Sequence, residues 1–495
     1  MSTKTTVFIV VIAVLLAVAG LAARNSGSKE GMLVAGGKVP SVANGLAITG
    51  EFAAVATFLG LVGGVSLVGF SGFVIVLGVP LGFLVLLAVV AEPLRRTGHF
   101  TVADMFAEHM PSRGLRILLG LTGLVISALF MLGQFVGGAS LLGVFFGLSY
   151  GWSVLIIGML TLALVLVGGM RSATAVQVVK TVLLLAASVA LLLLTLRTTS
   201  WNPFELSHRA AEQFGPSAIA PKHGATTRSM DDFSAVLATA LGIAGMPHIT
   251  VRFLTVRSGS AARQSALIAL WSMSVYLIIM GFVGYGAAEL VGRAQIAKQN
   301  AGGTTATIQL SQALGGEVFG AIVAGLVFAI IAAVLAGLLV SMMGIISHDL
   351  YLNVRAKNRS SNRAQVIVAR VGAVVVTVLV SLLSFGARDI NLIFIGTFAF
   401  GVAGSTIFPV IVFSLYWRKF ALIGALATLG VGLASSLVLL VLGPNVLGTA
   451  AIFPYSQPAF ITIPLAFLVG AVVTAARPAT REAMPASDTL EQGRI

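Results

Sequence analysis

Apolar runs long enough to span a bilayer follow one another along almost the whole chain, with short polar segments between them. A helix needs about 20 such residues to cross the hydrocarbon core. A chain that is 58% apolar and 9% charged over 495 residues cannot be a soluble domain, and it reads as an all-α polytopic membrane protein. A transmembrane β-barrel would show alternating segments of about ten residues, whereas these runs are continuous. There is no cysteine, which removes disulfides, zinc–thiolate sites and thiol nucleophiles.

Thirteen spans are expected, at 6–23, 43–64, 67–92, 116–146, 151–169, 173–196, 231–254, 264–292, 314–347, 365–386, 390–416, 420–442 and 459–476. Lys and Arg collect on the cytoplasmic side of membrane proteins. With the N-terminus outside, 21 of the 30 basic residues fall in cytoplasmic segments and 8 outside, while Lys180 lies within a span. An odd number of spans then puts the C-terminus inside. The net charge of +14 follows sidedness, so no nucleic-acid partner is expected; the lipid bilayer is. The first span is expected to be retained, although Ala22-Ala23 resembles a signal-peptide processing site.

Glu51 is the anomaly within this pattern. It sits in Asn44-Gly-Leu-Ala-Ile-Thr-Gly-Glu51-Phe-Ala-Ala-Val-Ala-Thr57-Phe-Leu-Gly60, where a carboxylate costs a few kcal/mol even on lenient insertion scales. Glycines flank it at Gly45, Gly50 and Gly60. Five spans later, Leu241-Gly-Ile-Ala-Gly245-Met-Pro247-His248 carries a second Gly/Pro interruption. Two interrupted spans in matching places mark transporters built from inverted repeats. Because five is odd, the second repeat is upside down relative to the first. The expected division is a first helix and cytoplasmic loop (1–42), a first repeat (43–196), an outer loop (197–230), a second repeat (231–418), two peripheral helices (419–476) and a cytoplasmic tail (477–495).

Asn44-Gly-Leu-Ala-Ile-Thr-Gly-Glu51, Gly168-Gly-Met-Arg171, Gly245-Met-Pro-His248 with Arg252-Phe-Leu-Thr255, Ser347-His-Asp-Leu-Tyr351 and Phe408-Pro-Val with Ser414-Leu-Tyr-Trp417 resemble the sodium:solute symporter family, in particular its bacterial cation/acetate branch. The resemblance implies a LeuT-like fold with two five-helix inverted repeats. It also implies secondary active transport of a small monocarboxylate across the cell membrane, with no cofactor and no obligatory protein partner. In the family a sodium ion is held by carbonyls of the first broken span and by two hydroxyls of the ninth. Carried over, the carbonyls fall near Gly50 and Ala53, and the hydroxyl positions fall on Ala333 and Val334, which carry none. Ala329–Val340 contains no hydroxyl residue.

Lys180 offers a replacement for that cation. At 1.5 Å per residue it lies roughly 10 Å deep, and Glu51 roughly 12 Å. The two could pair, and a protonatable amine bridging the spans would make the coupling ion H+ rather than Na+. Alternatively Lys180 snorkels to the cytoplasmic interface. The expected coupling-ion positions are Glu51, Lys180, Gly50, Ala53, Ala333 and Val334. For the substrate, the expected contacts are Thr57 and Phe58, Gln134, and Thr397, Ser405 and Thr406. Gln134 has an alternative role as a helix–helix hydrogen bond.

Gly245, Pro247 and His248 form the second helix break, with His248 either relaying a proton or capping carbonyls freed by the proline. Arg252 reads as an inner gate or a positive-inside residue, and no arginine is expected at mid-membrane to clamp a carboxylate. His348-Asp349 reads as an interfacial anchor. No nucleophile–base set, metal triad or phosphate loop points to an enzyme. A sodium symporter of another solute, or a channel or sensor, are the competing classes.

Overall fold

In the computed structural model, the described residues are 38–96, 106, 110–220, 226–300, 302–356, 360–388, 390 and 392–477, with a few positions before residue 18. The expected first span and the tail therefore lie largely outside the described residues, as does any test of signal-peptide cleavage. Among the described residues there is no β-strand; Val39 and Val256 form one isolated bridge.

Among the described residues, nine helices are long and apolar enough to cross a membrane, and two bent pairs bring the number to eleven. In chain order the elements are α1 (Ser41–Phe52), α2 (Ala56–Val68), α3 (Gly78–Arg96), α4 (Arg113–Phe146), α5 (Tyr150–Leu166), α6 (Thr174–Arg197) and α7 (Pro203–Phe214). There follow α8 (Ser229–Gly245), α9 (Pro247–Phe253), α10 (Gly259–Leu290), α11 (Ala306–Arg355), α12 (Asn362–Gly386), α13 (Leu392–Tyr416), α14 (Leu422–Leu442) and α15 (Ala459–Ala476). The expected single span 314–347 is part of the longer α11, which carries a kink at Gly315 and Gly316. The expected outer loop, 197–230, holds the twelve-residue α7, which ends at Gly215.

The stretch Tyr150–Arg197 makes two helices, the shorter α5 and the span α6. Tyr150 Oη donates to Ser384 O at the end of α12. Gly286, near the end of α10, packs on Thr195. Both α10 and α12 end on the outer side in the orientation expected from charge. A straight helix would put Tyr150 and Thr195 roughly 70 Å apart, so the chain reverses between α5 and α6.

Buried residues concentrate on α11, which is enclosed over most of its length, whereas α12 and α14 turn large apolar side chains outward. An apolar outer face is what lipid requires, so the driving force for packing here is contact quality and hydrogen bonding rather than escape from water.

Candidate functional site

The two Gly-interrupted spans are both broken. α1 and α2 meet at 61°, and α8 and α9 at 44°. At the first break Ala53 leaves the helix (φ −71°, ψ 73°). Unpaired backbone groups inside a membrane need partners. Thr57 supplies one, because its Oγ1 accepts from Ala54 N at 3.1 Å and lies 3.1 Å from Ala54 O. At the second break Met246 is extended (ψ 120°) and Pro247 occupies the first turn of α9. Proline excludes helix from the residue before it and has no N–H to leave unsatisfied in a first turn. Gly242 and Gly245 let this break press on the backbone of α13 at Phe400 and Ala403; a methyl group at either would overlap the carbonyls there.

Beside the first break lies a cavity of about 60 Å³. At roughly 15 Å³ per water this holds about four waters, or a solute of a few heavy atoms. Its walls come from both sides of the first break (Phe52, Ala54, Ala56, Thr57), from Phe130 of α4, Thr239 of α8, and Thr397 and Phe400 of α13. Phe400 stacks on Phe52 at 5.2 Å and tilts against Phe130 at 5.4 Å, forming an aromatic floor. No charged side chain lines the cavity among the described residues. A second, larger and more polar hollow of about 380 Å³ is lined by Ser140, Asn300, Thr304 and Arg388, and it shares Ile393 with the first. In the charge-based orientation this second hollow lies toward the outside.

In the charge-based orientation, buried charge lies on the inner side. Glu51 and Arg252 are 0% and 1% exposed, and Arg252 Nη2 donates to Glu51 Oε1. Arg252 Nη1 also donates to Thr174 Oγ1 at 2.7 Å. Lys180, fully buried, donates to Gly50 O. Gln177 donates to Ala333 O at 2.8 Å and lies beside the Glu51 carboxylate. Gly337 of α11 touches that carboxylate directly, and a side chain there would overlap it. Toward the inner surface, Val39 N donates to Thr255 O at 3.0 Å and Arg95 Nε to Val256 O at 2.7 Å.

These contacts correct several expectations. Glu51 takes its ion-pair hydrogen bond from Arg252, while Lys180 bonds a carbonyl instead. Lys180 does not snorkel; its amine stays sealed against α1. Arg252 is a buried partner of the acid, so an arginine does lie within the membrane, contrary to expectation. Four residues from His248 on α9, it reads in sequence as an inner gate or a positive-inside charge. His348 and Asp349 are buried, with Arg116 3.5 Å from Asp349, rather than an interfacial anchor.

Of the expected substrate contacts, Thr57 and Thr397 line the cavity. The others do not. Phe58 is buried away from it, with its carbonyl accepting from Thr307 Oγ1 at 2.9 Å. Ser405 Oγ meets Thr462 Oγ1 of α15 at 2.7 Å. Thr406 bonds Val402 O and packs against Gly432 of α14. Gln134 is buried outside the cavity lining, and its Oε1 has no partner. α13 breaks at Thr406 (φ −125°, ψ −83°), which rotates these two hydroxyls toward the peripheral helices.

His248 does not cap the proline break, for neither ring nitrogen has a partner; the ring stacks on Phe130 at 5.3 Å. Ala53, Ala333 and Val334 are all buried, and of these Ala333 joins the cluster through its carbonyl.

Two broken spans with a cavity beside the first of them are the arrangement of a membrane transporter. The chain belongs to the sodium:solute symporter family, whose profile matches residues 32–432. It is 36% identical over 471 residues to an uncharacterized symporter, YwcA, of Bacillus subtilis, covering 93% of this chain and 92% of that one. It is 33% identical over 496 residues to a monocarboxylic acid transporter of Corynebacterium glutamicum, covering 94% and 90%. In structure it is similar to a Na+-coupled sialic acid symporter in a substrate-bound outward-open state (TM-score 0.77, 13% identity, 97% and 100% covered). It is also similar to Mhp1, a nucleobase-cation-symport-1 family transporter, in a closed conformation (TM-score 0.54, 14% identity, 92% and 96% covered). The fold is thus LeuT-like, and the protein is a multi-pass, cation-coupled symporter.

Proposed function

We propose that the protein carries a small monocarboxylate such as acetate, coupled to protons through Lys180. The observation that carries the coupling is the Lys180 amine on the Gly50 carbonyl. Resemblance to the family implies a cation near that carbonyl, and the matching positions Ala333 and Val334 supply no hydroxyl. The buried cluster holds one carboxylate, Glu51, and two cationic side chains, Arg252 and Lys180. A guanidinium keeps its proton. Of the two cations, Lys180 is therefore the one whose proton can come and go, joining α1 to α6 when charged and releasing α1 when neutral.

The substrate reading rests on the cavity. It is sized for a few heavy atoms, and α2 begins at its wall with Ala54 and Ala56. A helix start carries partial positive charge and can hold a carboxylate without an arginine. The apolar remainder suits a short alkyl tail. The kinship with a monocarboxylic acid transporter supports the same class. In this reading residues 43–196 and 231–418 are the two inverted repeats, with the N-terminus outside.

Sodium coupling is the second reading, favoured by the family and by the Na+-coupled neighbour. Uptake of labelled acetate, propionate and lactate into proteoliposomes, driven by an imposed pH gradient or an imposed sodium gradient, separates the two readings. Uptake of none of the three would remove the substrate assignment.

A further inference from the structure

The cavity's hydroxyls share a limitation. Thr239 Oγ1 donates to Ala235 O at 2.8 Å, Thr57 Oγ1 lies 3.1 Å from Ala54 O, and Thr397 Oγ1 donates to Ile393 O at 2.8 Å. A hydroxyl has a single proton, and each of these is directed at a main-chain carbonyl. A carboxylate only accepts. For a side chain of this cavity to bind one, a hydroxyl must redirect its proton. Thr57 cannot do so cheaply, because its hydroxyl closes the first helix break. Thr239 has the proton but no donor behind it.

Thr397 is built differently. Its oxygen receives Gln457 Nε2 at 2.6 Å. Ile393 O, which its proton now meets, is also the ladder acceptor one turn back in a regular helix, so it is not orphaned when the hydroxyl turns. A hydroxyl that accepts a hydrogen bond donates more strongly.

Gln457 comes from outside this bundle, in the outer loop between α14 and α15, yet it is 5% exposed. Its main chain pins it there. Gln457 N donates to Asp231 Oδ1 at 3.0 Å, and Gln457 O accepts from Ser234 Oγ at 2.7 Å. Phe460 N donates to the same Ser234 Oγ at 3.1 Å. The side-chain Oε1 has no partner, so the amide is engaged only through its donor end.

We propose that Gln457 is a positioning residue for substrate: by donating to Thr397 it holds that hydroxyl and primes its proton for the substrate carboxylate. The inference rests on the reading of the cavity as the monocarboxylate site. The peripheral loop, outside both repeats, thereby sets affinity at the centre of the protein.

Labelled-acetate uptake by Thr397→Val, Gln457→Leu, Gln457→Glu and the Thr397→Val/Gln457→Leu double variant tests it. The loop stays anchored in all of them, because its bonds to Asp231 and Ser234 use the Gln457 main chain. Thr397→Val and Gln457→Leu each raise KM about tenfold or more, the lower end of the scale of one hydrogen bond to a charged group, with little change in Vmax. The double variant is no worse than Thr397→Val alone. Gln457→Glu, near-isosteric but unable to donate when ionised, raises KM further than Gln457→Leu. If Thr397→Val raises KM while both Gln457 variants leave it unchanged, or lower only Vmax, the proposal is overturned. If Thr397→Val itself leaves KM unchanged, the cavity reading fails and this inference with it.

Discussion

Arg252 of α9 donates to Glu51 of α1, so one buried ion pair ties together one half of each broken span, the inner halves in the charge-based orientation. Both halves must separate if the cavity is to open inward. The pair is therefore a latch as well as a structural contact. Removing one partner of a buried pair typically costs about 3–5 kcal/mol, while replacing both by apolar groups is often neutral. Glu51→Leu and Arg252→Met singly are expected to lower thermal stability in detergent by that amount. The double variant recovers the stability but not transport. A double variant that loses the sum of the two single losses would show the pair to be energetically idle.

Lys180→Met is expected to abolish gradient-driven accumulation while sparing counterflow of labelled acetate between pre-loaded compartments. The accumulation ratio falls about tenfold or more, within the usual range for coupling free energies. Accumulation unchanged by the substitution would place the coupling elsewhere.

Gly337→Ala tests how tightly the acid is held. Its Cβ would overlap the Glu51 carboxylate. Overpacking costs about 1–3 kcal/mol, and here the strain falls on the latch. We expect lower thermal stability together with slowed transport, read by melting curves and initial uptake rates. A wild-type melting point would mean that Glu51 relaxes freely.

His248→Phe is expected to stabilise the protein by about 1 kcal/mol, because it removes two unpartnered ring nitrogens and keeps the stack on Phe130. Uptake should stay near wild type. A large loss of uptake with intact stability would instead give His248 a place on the transport path.

Much of this arrangement is legible in the sequence. The continuous apolar runs give the spans, and the Gly/Pro interruptions give both breaks, because backbone that leaves helical geometry needs residues able to tolerate it. Glu51 and Lys180 stand out because charge is rare in hydrocarbon. What stays hidden is which side chains meet. Arg252 is indistinguishable in sequence from the other arginines near cytoplasmic span ends, and only the bend at Pro247 swings it onto Glu51. Ser405 and Thr406 have the right chemistry for a substrate, but the kink at Thr406 turns them toward α14 and α15. Gln457 gives no signal at all, since it sits in a loop about sixty residues from Thr397 (the gap is 60 in sequence).

The most direct measurement is the transport current of reconstituted protein on a supported membrane, evoked by acetate under a fixed pH gradient, first in sodium-free buffer and then with sodium added. Coupling through Lys180 predicts the same current in both, and its loss in Lys180→Met. A current that appears only when sodium is present would contradict it.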